Sequence, residues 1–149
     1  MRYETVLVGT DGSDTSLQAV AAAADLAVAT SARLLVACAY HPMPAREQAR
    51  FTPGLDDTRF RVTGKEAAQQ ALDAALAAAG EAGASSAEGQ LVEGDAVEAL
   101  LSVADSRSPA LIVVGNRGMN RLSRRLLGSV PSDVAYRARC DVLIVHTTS

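Results

Sequence analysis

Short β-branched runs alternate with helical patterns along the whole chain, and this alternation restricts the possible folds more than any other feature. Thr5 to Gly9 (TVLVG) reads as a strand that stops at the turn-rich Thr10-Asp11-Gly12-Ser13. A helix follows, with Ser13 or Asp14 as its N-cap and Leu17, Val20, Ala21, Ala24 and Val28 as its expected buried face. Ala32 to Tyr40 returns to strand character, and Lys65 to Ala82 is an Ala- and Gln-rich helix ended by Gly83. Glu88 to Glu93 reads as a short strand, Gly94 to Asp105 as a helix, and the apolar Ala110 to Val114 as a strand. Ser129 to Arg139 is a further helix, with Pro131 tolerated in its first turn, and Asp141 to His146 is the last strand. Strands alternating with helices imply a parallel sheet covered on both faces. Right-handed crossovers make such a sheet doubly wound, with a ligand crevice beyond the carboxyl ends of its strands. Two glycine-bearing turns, Gly9 to Ser13 and Gly115 to Gly118, then fall at one end of the sheet. They face each other if their strands are neighbours where the winding reverses.

Composition agrees with this layout. At 149 residues the chain is about one domain; it is 48% hydrophobic but only 3% aromatic, and a core of Ala, Val and Leu suits helices on a sheet. Apolar stretches are short, Ala110 to Val114 among them, well under the roughly 20 residues of a membrane span. The opening MRYETVLVGTDG lacks the layout of a signal peptide, so the expected location is the cytoplasm. Cys38 lies in an apolar run and reads as a small core residue, while Cys140 has no partner at metal-ligand spacing. A net charge of −3 argues against general nucleic-acid affinity. From Ser106 to Ser132, however, there are five arginines and no acid, a local positive charge that suits a small anion. The segment from His41 to Gly64 contains Pro42, Pro44, Pro53 and Gly54 without a sustained period. It is a long connection, either a lid over the cleft or a surface excursion.

The most informative stretch is VVGNRGMNRLSRRLLGSVPS, Val113 to Ser132. A strand ending at Gly115 lets the backbone turn sharply with its N–H groups unshielded, and Gly118 relieves a second close approach. Gly128-Ser129 opens a helix whose unpaired N–H groups and dipole favour a phosphate. Taken alone, a glycine pair after a strand is equally a tight turn beside a solvated loop. The spacing Gly115-x2-Gly118-x9-Gly128-Ser129 is more specific: it resembles the G-2x-G-9x-G-[ST] nucleotide motif of the universal stress protein family. VLVGTDGSDTS resembles that family's first strand and Asp-bearing turn, and GSVPSDVAYRARCDVLIVH its closing helix and strand.

The resemblance implies an open, Rossmann-like, five-stranded parallel sheet of order 3-2-1-4-5 with helices on both faces. It also implies binding of ATP, AMP or cyclic AMP, with Mg accompanying ATP, in stress response or signalling. Gly9, Thr10 and Asp11 match the first turn, where Asp11 would accept hydrogen bonds from the ribose hydroxyls or the adenine amino group; otherwise Asp11 only forms the turn. Ala39 and Val114 match the positions that line the adenine, and Gly115, Arg117, Gly118, Gly128, Ser129 and Val130 the ribose and phosphate segment. Arg121, Arg124 and Arg125 read as a solvated positive rim. The family's habit of dimerising through its last strand implies a homodimer through Val142, Leu143, Ile144 and Val145, an apolar sheet edge open to pairing.

Catalytic signals are weaker. No Walker-type Gly-Lys-Ser/Thr occurs, and the single lysine, Lys65, is remote from the motif. His41, beside Pro42 at the start of the long connection near the cleft, reads as incidental, His146 has no recognisable Ser or Asp partner arrangement, and Asp56-Asp57 sits in the irregular segment. Ligand binding with at most slow hydrolysis is the expectation, and a slow ATP hydrolase or other nucleotide-using enzyme is the alternative. A phospho-receiver role is set aside because Asp11 stands alone and the last strand carries no lysine.

Overall fold

The computed structural model describes residues 3–42, 64–116 and 129–147. Five strands form one parallel sheet: β1 (Thr5–Thr10), β2 (Arg33–Tyr40), β3 (Glu88–Glu93), β4 (Leu111–Gly115) and β5 (Asp141–Val145). Their order is β3-β2-β1-β4-β5, as expected, so the winding reverses between β1 and β4. Between them lie α1 (Asp14–Thr30), α2 (Lys65–Glu81), α3 (Ala96–Arg107) and α4 (Ser129–Arg137). None of the described helices is long and apolar enough to cross a membrane.

The period-2 alternation of the strands divides the core into two layers. Val6 and Val8 of β1, with Leu34, Val36 and Cys38 of β2, face α1 and α2. Leu7, Leu35, Ala37, Ile112 and Val114 face the opposite way, against Leu100 and Val103 of α3 and Val130 and Val134 of α4. The central strands are therefore apolar on both faces, as a parallel sheet under two helical layers requires.

Helix α1 differs from its expected orientation. Its buried residues are Ser16, Ala19, Val20, Ala23, Ala24 and Ala27, whereas Val28 is 51% exposed and Leu17 and Ala21 are half-buried. The face is rotated by about a quarter-turn from the one that the larger side chains suggest. Alanines bring the helix axis close to the sheet, and α2 uses Ala68, Ala71, Ala75 and Ala79 in the same way. Close packing thus selects the small side chains, while Val28 and Leu17 flank the contact. Helix α3 begins two residues later than its pattern suggests, because Gly94 adopts φ 132° and Asp95 takes the N-cap position.

Candidate functional site

β1 and β4 pair in parallel through Val8↔Val113, so Thr10 and Gly115 finish two residues further on at the same end of the sheet. A helix that connects two parallel strands runs back against them. α1 and α4 therefore both begin at this end and direct unpaired N–H groups toward it.

The turn after β1 is tied by short-range hydrogen bonds. Thr10, fully buried, accepts the Gly12 N–H on its Oγ1 (3.1 Å) and shares a hydrogen bond with Ser16 Oγ (3.0 Å). Asp11 Oδ1 accepts the Ser13 N–H at 2.9 Å, a local turn closed by the aspartate side chain. Ser13 caps α1, its Oγ accepting from the Ser16 N–H at 3.2 Å, while Ser16 Oγ donates back to the Ser13 carbonyl at 2.9 Å. Gly12 completes the turn at φ 84°, where a Cβ would lie 3.0 Å from the Ala71 Cβ of α2. Only glycine meets both demands.

Asp11 is half-buried, and one of its oxygens is engaged in this turn. The turn-forming reading of Asp11 is thus observed, and its second oxygen has no partner among the described residues. Its charge reaches the end of β2, where Cys38 pairs in register with Thr10. Burial first, and then the Asp11 carboxylate, push the Cys38 thiol from its ordinary value near 9 up to about 11. Cys38 is a neutral core residue, as its surroundings in the sequence suggest. Ala39, the next residue, is half-buried at the same end.

Gly9, Val114 and Gly115 are buried, and Val114 and Val130 place their side chains in the α3–α4 layer. Ser129 opens α4, whose first turn carries no acid that would oppose an anion. Pro131 is fully buried in that turn. Arg117, Gly118 and Gly128 lie outside the described residues, as do Arg121, Arg124 and Arg125 and most of the His41 to Gly64 segment.

Two features of this end had no sequence signal. Asn116 Oδ1 accepts hydrogen bonds from both the N–H (2.8 Å) and the hydroxyl (3.0 Å) of Thr147, a residue 4% exposed. His41 Nε2 lies 2.9 Å from Asp95 Oδ1, joining the end of β2 to the start of α3, with both side chains largely exposed. Asp95 consequently does not cap α3 with its side chain. Each pair joins residues far apart in the chain, so no local pattern announces it.

Residues 2–146 match the sequence profile of the Universal stress protein family. The chain belongs to that family. Among its family relatives is Universal stress protein Rv1636 of Mycobacterium tuberculosis, 47% identical over 146 residues, an alignment that covers 98% of each chain. A Thermus aquaticus universal stress protein is 33% identical over 144 residues, covering 97% of this chain and 99% of that one. A crystal structure of a universal stress protein in complex with cAMP superposes with a TM-score of 0.73 at 42% identity, covering 99% of this chain and 100% of the other. Among universal stress proteins, then, this chain has a cAMP-complexed structural neighbour whose match runs essentially end to end.

Proposed function

We propose that the chain binds an adenine nucleotide (cyclic AMP, AMP or ATP) at the β1–β4 switch point and acts in stress response or signalling through that binding. The observation that carries the reading is the convergence of the Asp11 turn, the glycine at the end of β4 and the start of α4 on one end of the sheet. The groups there suit such a ligand. Asp11 has a carboxylate oxygen to spare for ribose hydroxyls or the adenine amino group, and Ala39 leaves room for a flat base. The α4 start supplies N–H donors for phosphate without an opposing acid. In this reading Gly9 and Thr10 shape the turn, Ala39 and Val114 border the adenine, and Gly115, Arg117, Gly118, Gly128, Ser129 and Val130 take the ribose and phosphate, with Mg accompanying ATP. The relative in complex with cAMP, at 42% identity, supports the ligand class.

The protein is also proposed to be cytoplasmic and to form a homodimer through β5. That strand is the sheet edge, and Leu143 on it is 40% exposed. A monomeric mass in sedimentation would contradict the dimer.

A thermal-shift series with ATP, AMP and cyclic AMP tests the ligand. At least one should stabilise the fold, and Gly118→Val or Gly128→Val should abolish the shift. No shift with any of the three overturns the reading. Mass spectrometry of whatever small molecule co-purifies would identify the preferred nucleotide.

A further inference from the structure

We infer that Asn116 is a positioning residue of the nucleotide site and that Thr147, beyond the last strand, is its obligatory partner; the inference rests on the nucleotide reading above. Asn116 directly follows Gly115, so its backbone sets the direction in which the chain leaves β4 for the glycine motif. Three hydrogen bonds hold it. Its N–H donates to the Val145 carbonyl at 2.8 Å, which extends the β4–β5 ladder by one residue. Its side-chain oxygen then accepts the Thr147 N–H at 2.8 Å and the Thr147 hydroxyl at 3.0 Å.

The backbone bond alone would suffice to end a strand. The side-chain oxygen does something further. With two donors converging on it, the amide is held in a single orientation, and Thr147, 4% exposed, is fixed beneath the residue that begins the motif. Gly115 closes the arrangement, because a Cβ there would approach the Thr147 methyl to 3.0 Å. The segment after β5 therefore forms a wall of the end of β4, and Gly115, a proposed ligand contact, lies directly on it. A site that binds through backbone N–H groups depends on their being set before the ligand arrives, since ordering them at binding costs affinity. Asn116, between the first two glycines of the motif, and Thr147, beyond β5, supply that order.

Calorimetric titration of cyclic AMP, AMP and ATP into the full chain tests this, using Asn116→Ala, Thr147→Val, Thr147→Ser and the double variant Asn116→Ala/Thr147→Val. Thr147→Ser keeps both donors and should bind like the wild type. Thr147→Val, which removes the hydroxyl bond, should weaken binding by about threefold to tenfold, the scale of one neutral hydrogen bond, and Asn116→Ala, which removes both bonds, by at least as much. The double variant should bind no more weakly than Asn116→Ala, because the bond lost in Thr147→Val is already lost there. Binding is measured well below the melting temperature of each ligand-free variant, so a loss of stability alone does not change the affinity. Equal affinity for wild type, Asn116→Ala and Thr147→Val overturns the inference, as do losses that multiply in the double variant. Failure of the serine variant to restore binding also overturns it. If the wild type binds none of the three nucleotides, the nucleotide reading falls and this inference falls with it. If the wild type binds and the variants match it, only the inference falls.

Discussion

The two turns at the carboxyl end of the sheet are built in opposite ways. After β1, the chain from Thr10 to Ser16 is held by its own side chains, and none of their hydrogen bonds among the described residues spans more than six residues. After β4, Asn116 is held by Thr147, 31 residues further along the chain and beyond the edge strand in sequence. The first turn is held by contacts within its own few residues. The second is held by the segment that follows β5. A site assembled from both has one wall set by local chemistry and one that depends on the integrity of the sheet edge.

The glycines at these turns give the strongest way to break the comparison. Gly12→Ala puts a side chain at φ 84° and within 3.0 Å of the Ala71 Cβ, and no trimming of a neighbour relieves the backbone strain. Stability should fall by about 2–3 kcal/mol in denaturant unfolding. Gly115→Ala meets only the Thr147 side chain, with the methyl at 3.0 Å. It should cost about 1–2 kcal/mol, and Thr147→Ser, which removes that methyl, should recover most of the loss. An unrescued Gly115→Ala, or a Gly12→Ala rescued by any neighbouring truncation, would erase the distinction.

Cys38 probes the first turn from beneath. Its thiol is protonated in the fold up to about pH 11 but ionises near 9 when exposed, so unfolding releases a proton in that window. Stability contributed by the neutral thiol is fully present below pH 9 and is lost as pH rises toward 11, by about 2–3 kcal/mol. Cys38→Ala should flatten this alkaline slope in urea titrations between pH 8 and 10.5. A slope unchanged by the substitution would place its origin elsewhere. The smallest expected effect is at the α1 cap, where Ser13→Ala removes the bond to the Ser16 N–H and should cost about 1 kcal/mol.

The same contrast explains what could be read from the sequence. The order of strands and helices along the chain and an N-cap at Ser13 or Asp14 follow from local patterns, since alternation and capping act over a few residues, and the structure selects Ser13. The central position of β1 and the switch point follow from the family resemblance, and the switch is observed between β1 and β4. The face of α1 was misplaced because hydrophobic patterning gives weight to Val28 and Leu17, whereas packing against a sheet favours the smaller Ala23 and Ala27. Asn116 lies inside the glycine motif and still carries no signal of its own, because its role depends on Thr147. His41 reads as incidental in the sequence, because its partner, Asp95, is likewise distant in the chain. Arg117, Gly118, Gly128 and the arginines Arg121, Arg124 and Arg125 fall outside the described residues, so their roles rest on the spacing and on the family.

The most direct test of the account is equilibrium titration of cyclic AMP, AMP and ATP into the purified wild type beside Asp11→Ala. The account predicts saturable binding of at least one nucleotide, one per chain, weakened at least about tenfold by loss of the Asp11 carboxylate. Binding that Asp11→Ala leaves untouched, or no binding of any adenine nucleotide, would contradict a site at the β1–β4 switch point.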